Sequence, residues 1–187
     1  MKRSCLLLVA AGLVLAASGH AARADVTYSV TYNGANERPT PTNSSATAIG
    51  TFTYETAKND ILYSVSYFGL SGSTQAAHLH IGSPGGVGPI ILPMLPNPTG
   101  TSGVISGTLT NADLINQAIS GVTDISQVNA IGLANGIYAN LHSTAFPGGE
   151  IRGQLIANAL AVPEPASITL LALGLIGMLT LQAKKER

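Results

Sequence analysis

The sequence predicts an all-β domain, an antiparallel Greek-key-like β-sandwich or barrel with a short helical insertion. Three observations predict this class. Apolar and polar residues alternate with period 2 in short segments, turn-forming residues separate these segments, and helical signals are confined to one region. Seven or eight short strands around one helical insertion are typical of sandwiches and barrels.

The strand predictions follow the chain in order. In VTYSVTY, which begins at Val26, the valines and tyrosines point to one side and the serine and threonines to the other. The loop NGANERPTPTNSS follows. Further strands are predicted at Thr47–Tyr54, Ile61–Phe68, Ala76–Ile81, Pro89–Met94, Gly103–Leu109, Ile137–His142 and Glu150–Ala157. Proline limits the strand at 89–94 to an edge or irregular position. The short STAFPGG connection predicts a hairpin between the last two strands.

The helical region lies between the sixth and seventh strands. In TNADLINQAI, Thr110 can cap a helix, and Asp113 suits the third helical position of a capping box. The residues predicted to face the sheet are Leu114, Ala118 and Ile115. A second helix in DISQVNAIGLANG would begin after Asp124 and end near Asn135-Gly136.

Residues 1–24 are typical of a secretory signal peptide. Lys2 and Arg3 precede an apolar stretch that is short for a membrane span, and Ala22-Arg23-Ala24 fits the small-x-small pattern that signal peptidase cleaves. A first transmembrane helix is the alternative. The polar residues that follow the apolar stretch at once favour the signal peptide, with cleavage involving Ala22 and Ala24.

The C-terminal end has three parts. Pro163-Glu164-Pro165 precedes an uncharged, apolar run at about 166–183, which is long enough for a transmembrane helix, and the basic tail KKER follows. Together, residues 162–187 resemble the PEP-CTERM sorting signal of Gram-negative bacteria. The resemblance implies processing near the Pro-Glu-Pro motif by an exosortase, an inner-membrane span that is transient or anchoring, and a surface or extracellular destination, often alongside exopolysaccharide and biofilm production.

The remaining residues, 25–161, have the length of one domain. Three basic residues against seven acidic ones give this part a net charge of −4, which argues against nucleic-acid binding. Cys5, the only cysteine, lies in the predicted signal peptide. The mature domain therefore has no disulfide, and hydrophobic packing or a metal must stabilise it.

The histidines of the mature chain form a candidate metal site. His78 and His80 share one face of their predicted strand in AHLHIGSPGG, and His142 lies in NLHSTAFPGGEIRGQL. Two imidazoles at this spacing can share one ion, and a third from a neighbouring strand completes a T-shaped or tetrahedral set for copper or zinc. Glu150 is a candidate accessory ligand or ring-orienting group. A polar network without metal is the alternative and stays open at this stage.

The sequence gives little support for phosphate binding or for hydrolysis. The glycines of SPGGVGP lack the lysine and serine or threonine of a phosphate-binding loop, so they predict a turn. The sequence contains no Ser-His-Asp order, paired-carboxylate motif or nucleophile elbow that would indicate a hydrolase.

Two stretches carry a resemblance to a known domain family. AHLHIGSPGGVGPI, the segment around LTNADL, and YANLH with FPGGEIRGQL resemble the CHRD domain, named from chordin and common in secreted bacterial proteins. The resemblance covers most of 26–157 and implies a β-sandwich with no agreed biochemical activity. Residues 121–132, GVTDISQVNAIG, form an apparent insertion relative to that pattern.

A more distant resemblance suggests a chemistry. His-x-His on a strand, a later histidine and an Arg-Gly-x-Leu-Ile strand are similar to copper–zinc superoxide dismutase. The resemblance implies copper ligation by His78, His80 and His142, with Arg152 attracting an anionic substrate. The sequence lacks the bridging histidine, the histidine-rich zinc loop and the cysteine pair of that family.

The sequence therefore supports two compatible functions. The first is a non-enzymatic envelope or exopolysaccharide-matrix protein that is exported, cleaved by signal peptidase and sorted by an exosortase. The second is a copper- or zinc-binding module, with dismutase-like activity as a distant third.

Overall fold

The strands form one antiparallel sheet that bends into a nearly closed barrel. The computed structural model describes residues 24–95, 99–158 and Gly174. Its strands are β1 Val26–Asn33, β2 Thr47–Glu55, β3 Asp60–Phe68, β4 Thr74–Ile81, β5 Ile90–Pro93, β6 Gly103–Leu109, β7 Ile137–Ser143, β8 Ile151–Gln154 and β9 Ile156–Ala157. The strand order is β5-β4-β7-β8-β1-β2-β3-β6, and β9 pairs with β1. The predicted antiparallel all-β class is confirmed.

The predicted alternation places the core inside the curved sheet. Every second residue of β1, β2 and β3 is buried, among them Val30, Phe52 and Val65, which are at most 3% exposed. Burying one such side chain stabilises the fold by about 1.5–3 kcal/mol. Where β8 approaches β1, a Cβ on Gly153 would lie only 2.5 Å from both the Thr31 carbonyl oxygen and a Val30 methyl group, so this strand pair requires a residue without a side chain.

The strands predicted at 89–94 and 150–157 take different places in the sheet. The strand predicted at 89–94 is β5, which pairs with β4 alone and ends the sheet, as its prolines require. The strand predicted at 150–157 divides at Leu155. The first part, β8, pairs with both β7 and β1, whereas β9 pairs with β1. β7 and β8 form the predicted hairpin.

The first predicted helix is wrong as a continuous element. Thr110 and Asp113 form the predicted capping box, but they cap a single 3₁₀ turn, Asn111–Asp113. The helix α1 comprises only Gln117–Ser120, because Leu114 is extended and Asn116 adopts a left-handed conformation with φ of 53°. Leu114 is buried as predicted, whereas the predicted sheet-facing residues Ala118 and Ile115 are exposed.

The second predicted helix is confirmed as α2, Ile125–Leu133. The Asp124 carboxylate accepts from the Ser126 N–H, and Asn135 in a left-handed conformation follows the helix end. α2 contains most of the apparent insertion at 121–132. Its buried side chains join the core, and Tyr28 of β1 donates a hydrogen bond to the Asn129 carbonyl. The insertion therefore packs against the sheet and contributes to the core.

The predictions for the two chain ends concern residues that the structure, with two exceptions, does not describe. The predicted signal peptide 1–24, the Pro163–Pro165 motif and the span at about 166–183 lie outside the described residues, apart from Ala24 and Gly174. Among the residues that the structure describes, no helix is long and apolar enough to cross a membrane.

Candidate metal centre

Three histidines meet on the side of β4 and β7 that faces away from the apolar core. His78 and His80 are two residues apart on β4, so both project from that side. In the β4–β7 register, Asn140 lies opposite His78, and His142 is two residues further along β7 on the same side. The intervening residues Ala77, Leu79, Ala139 and Leu141 point into the core. The predicted convergence of the three histidines is therefore found in the structure.

Backbone carbonyls orient two of the rings. His80 Nδ1 lies 3.0 Å from the Gly88 carbonyl oxygen, and His142 Nδ1 lies 3.0 Å from the Pro147 carbonyl oxygen. Because a carbonyl only accepts, both Nδ1 atoms carry hydrogen, and the lone pair of each neutral ring is on Nε2. This arrangement is the one by which proteins orient histidines that bind metals. The glycine-rich turn predicted at 83–89 thus supplies one of the two orienting carbonyls.

The nitrogen atoms are close enough to share an ion. One nitrogen from each of His78, His80 and His142 lies within 4.8 Å of the other two. His78 Nδ1 is 3.3 Å from His142 Nε2. Two nitrogens bound tetrahedrally to one zinc ion at about 2.0–2.1 Å would be about 3.3–3.4 Å apart. This pair therefore already has the separation of two ligands of one ion.

Burial keeps the cluster uncharged. Burial lowers the pKa of His78 to about 4, and the neighbouring His142 and His80 add to this effect. Burial also lowers the pKa of His80 to about 4, although the bond to Gly88 acts in the opposite direction. The pKa of His142 is likewise lowered by burial. All three rings are neutral at pH 7, so protons do not compete with a cation for their lone pairs.

Tyr138 and Arg152 form a stack against one face of the His80 ring. The Tyr138 ring packs parallel to the His80 ring with centroids 4.7 Å apart, and the Arg152 guanidinium carbon lies 3.4 Å from the centroid of Tyr138. Arg152 is only 3% exposed and donates one hydrogen bond of 3.5 Å to the Ser83 carbonyl. Within the described part of the chain, no carboxylate forms an ion pair with it.

Comparison with known families supports the CHRD and PEP-CTERM resemblances that the sequence indicated. The model of the CHRD domain matches residues 28–155, which include the three histidines and Arg152. The chain belongs to the CHRD domain family. A PEP-CTERM protein-sorting motif matches residues 161–185. No curated protein and no solved structure matches the chain.

The two matches define the class of protein. A CHRD domain followed by a PEP-CTERM motif indicates an exported, cell-surface-directed protein that exosortase-type machinery processes. Neither the CHRD domain nor the sorting motif is an enzyme family. In this CHRD domain the histidine cluster lies on the motif residues, outside the apparent insertion.

Glu150 does not join the histidines. Gly149, with φ of 128°, turns the chain just before Glu150, and β8 begins only at Ile151, so the strand alternation does not extend to Glu150. Its fully buried carboxylate instead accepts hydrogen bonds from the Ser44 hydroxyl, the Ser71 N–H and the Ser143 hydroxyl. In this CHRD domain Glu150 therefore joins three segments of chain and has no free oxygen to offer as an accessory ligand.

Glu37 is the site residue that sequence reasoning missed. It follows the 3₁₀ turn Gly34–Asn36, is 2% exposed, and accepts a hydrogen bond of 3.4 Å from the Asn140 amide. Asn140 lies between His78 on β4 and Arg152 on β8 in the strand register. The segment NGANERPTP has the composition of an exposed loop. The only sequence signal that pointed to Glu37 was its charge in a chain with few charges.

Proposed function

We propose that this exported CHRD domain protein binds one copper or zinc ion through His78, His80 and His142. Its role is metal storage, delivery or redox protection outside the cytoplasm. The ion would sit between the three rings and replace the hydrogen that His78 and His142 share. The proposal covers binding and assigns no catalytic step to the chain.

The observation that carries the proposal is the Nε2 atom of His80. It is buried and has no hydrogen-bond partner among the described residues, while Nδ1 of the same ring is fixed by Gly88. A buried polar atom without a partner costs about 1–3 kcal/mol. A polar network without metal would be expected to pair this atom, whereas a metal ion uses its lone pair directly. The unpaired nitrogen therefore favours the metal over the network.

The surroundings favour an exchangeable transition metal. Three imidazoles suit copper or zinc, and the affinity order of divalent ions favours copper. His78 and His142 are only half-buried, which leaves one side of the cluster accessible from solvent. Among the residues that the structure describes, no carboxylate joins the group, so a fourth position is open to water or to a ligand of a partner that donates or accepts the ion.

Metal analysis tests the proposal. The purified full chain, after growth with added copper and zinc, should contain about one ion per chain, and calorimetry on the stripped protein should detect one site. The His78→Ala/His80→Ala variant should lose binding, because a single remaining imidazole cannot hold the ion. Gln75→Ala, an exposed change on the same strand, is the matched control and should bind normally. A wild type that is metal-free and gives no heat of binding contradicts the proposal.

We also propose a structural role in the envelope or exopolysaccharide matrix, which one surface of the barrel favours. The outward side of β1, β2, β3 and β6 is here called the hydroxyl face. One row crosses it through paired residues Ser29, Thr51, Ser64 and Ser106. Its other outward residues are Thr27, Thr31, Asn33, Thr47, Thr53, Ser66 and Thr108, the apolar Ile49, Leu62, Phe68 and Val104, and, at one end, the paired Glu55 and Asp60. Away from that end the face is uncharged, rich in hydroxyl groups and shallowly grooved, which suits a neutral polysaccharide, since it offers hydrogen bonds without fixed charge.

Introducing charge tests this second role. Thr51→Asp/Ser64→Asp places two carboxylates at the centre of the hydroxyl face and should release the protein from washed extracellular matrix of the producing cells. Gln75→Asp adds a carboxylate at an exposed site on β4 and serves as the control. If the doubly charged variant remains with the matrix as fully as wild type, the hydroxyl face is not the attachment surface.

A further inference from the structure

Glu37 and Asn140 form a buried pair that lacks one hydrogen-bond donor. The Asn140 amide nitrogen donates to Oε2 of Glu37 at 3.4 Å. Oε1 of Glu37 and Oδ1 of Asn140 are both buried and have no partner among the described residues. The two residues are 2% and 5% exposed. Each of these two neighbouring side chains thus has one acceptor oxygen that is left unsatisfied by the described residues.

The backbone encloses this pair tightly. A Cβ on Gly149 would lie 2.6 Å from the Asn140 amide nitrogen and 2.8 Å from Oε2 of Glu37, so the loop before β8 passes directly over both side chains. Gly149 also has φ of 128°, a conformation that side chains other than glycine rarely adopt. The pair is therefore held against the loop with little freedom to find other partners.

The charged groups around Glu37 do not neutralise it by direct contact. Arg38, on the same segment, donates to the carbonyls of Ala35 and Glu37. Arg152, on β8, lies over the Tyr138 ring. From β7, the polar group that meets Glu37 is Asn140, which carries no charge. Within the described residues neither arginine forms an ion pair with the Glu37 carboxylate.

We propose that Glu37 carries a proton at neutral pH and pairs with Asn140 as a carboxylic acid with an amide. The acid proton supplies the missing donor, so that O–H and N–H bonds join the two groups and both orphaned oxygens are satisfied. Burial raises the pKa of Glu37, and the Arg38 N–H, the Asn140 amide and the two guanidinium groups offset this only in part.

The Glu37–Asn140 pair acts as an uncharged spacer between the histidines and Arg152. Asn140 lies between His78 and Arg152 in register, so its fixed orientation keeps the arginine and the histidines apart. With Glu37 neutral, Arg152 is not drawn into an ion pair and remains on Tyr138, behind His80. The inference rests on the metal-free geometry and does not require that the site bind metal.

Titration of the Glu37 carboxyl tests the proposal. In the full chain with ¹³C-labelled glutamate, the carboxyl resonance that disappears in Glu37→Gln should change with a midpoint above pH 7, far above the ordinary value of about 4.3. A midpoint below pH 7 would mean that the group is ionised at neutral pH, with a water or cation supplying the contact, and would overturn the proposal.

Stability provides the second readout. The folded pKa lies above the unfolded one, so the contribution of Glu37 is complete below about pH 4.3 and decreases as the pH rises until it passes the folded pKa. Glu37→Gln keeps a donor and an acceptor without a titratable proton, so the ratio of folding constants, variant to wild type, should rise with pH. Glu55→Gln is the matched control, because the hydrogen bond from Lys58 lowers the pKa of the partly exposed Glu55 carboxyl, so its ratio should not rise with pH. A ratio that does not change with pH contradicts the proposal.

Discussion

Replacing Glu150 by alanine is expected to destabilise the fold by about 3–5 kcal/mol, because three donors lose their acceptor together. The Ser44 hydroxyl, the Ser71 N–H and the Ser143 hydroxyl all bond to this fully buried carboxylate. They come from three separate segments of chain. Urea unfolding of the full chain measures the change through the transition midpoint and slope.

A matched acidic residue separates this effect from loss of charge alone. Glu55 is partly exposed and forms an ion pair with the exposed Lys58, and Glu55→Ala should leave stability nearly unchanged. If Glu150→Ala behaves like Glu55→Ala, the assignment of Glu150 as a structural junction is wrong.

The pH dependence of the Glu150 contribution has a definite sign. Burial alone would raise its pKa, but the hydrogen bonds from Ser143, Ser44 and Ser71 outweigh burial and lower it. The contribution is therefore complete above the unfolded pKa of about 4.3 and is lost as the pH falls through the folded pKa. The stability difference between wild type and Glu150→Gln should accordingly be larger at pH 7 than at pH 3.

Gly88→Ala is expected to weaken metal binding by about 10–100-fold while leaving all three histidines in place. A Cβ at this position would lie 1.9 Å from the Ile81 carbonyl oxygen, so the backbone of the turn must move. The Gly88 carbonyl is the group that holds His80 Nδ1. Moving it releases the ring whose Nε2 is proposed to bind the ion.

The other loop of the site supplies the control. Gly148 follows Pro147, whose carbonyl holds His142, yet a Cβ on Gly148 would meet no atom within 4 Å. Gly148→Ala should bind metal like wild type in the same calorimetric titration. Equal affinity in the Gly88 and Gly148 variants would show that the turn does not position His80.

Local patterns predicted most of the fold. Strict period-2 alternation identified β1 and β3, and proline identified β5 as an edge strand, because these signals depend on neighbouring residues alone. The helix predicted from Thr110 failed, since its cap is real but Asn116 adopts a left-handed conformation that ends any continuation. A local cap starts a turn, and it does not decide how far the turn propagates.

The site could be predicted only where it follows strand geometry. His78 and His80 share a face by spacing, and β7 brings His142 beside them through the register. Glu37 and Glu150 could not be assigned, because both lie in connections where no periodicity fixes the direction of a side chain. Their partners, Asn140 and Ser44, are more than 100 residues away in sequence.

X-ray absorption spectroscopy of the full chain loaded with one equivalent of copper or zinc tests the central claim most directly. Scattering from three imidazole rings is expected, with metal–nitrogen distances of about 2.0–2.1 Å for zinc. The imidazole signal should fall in the His78→Ala/His80→Ala variant. A coordination sphere made of oxygen ligands, or a spectrum that this variant leaves unchanged, would contradict metal binding at the three histidines.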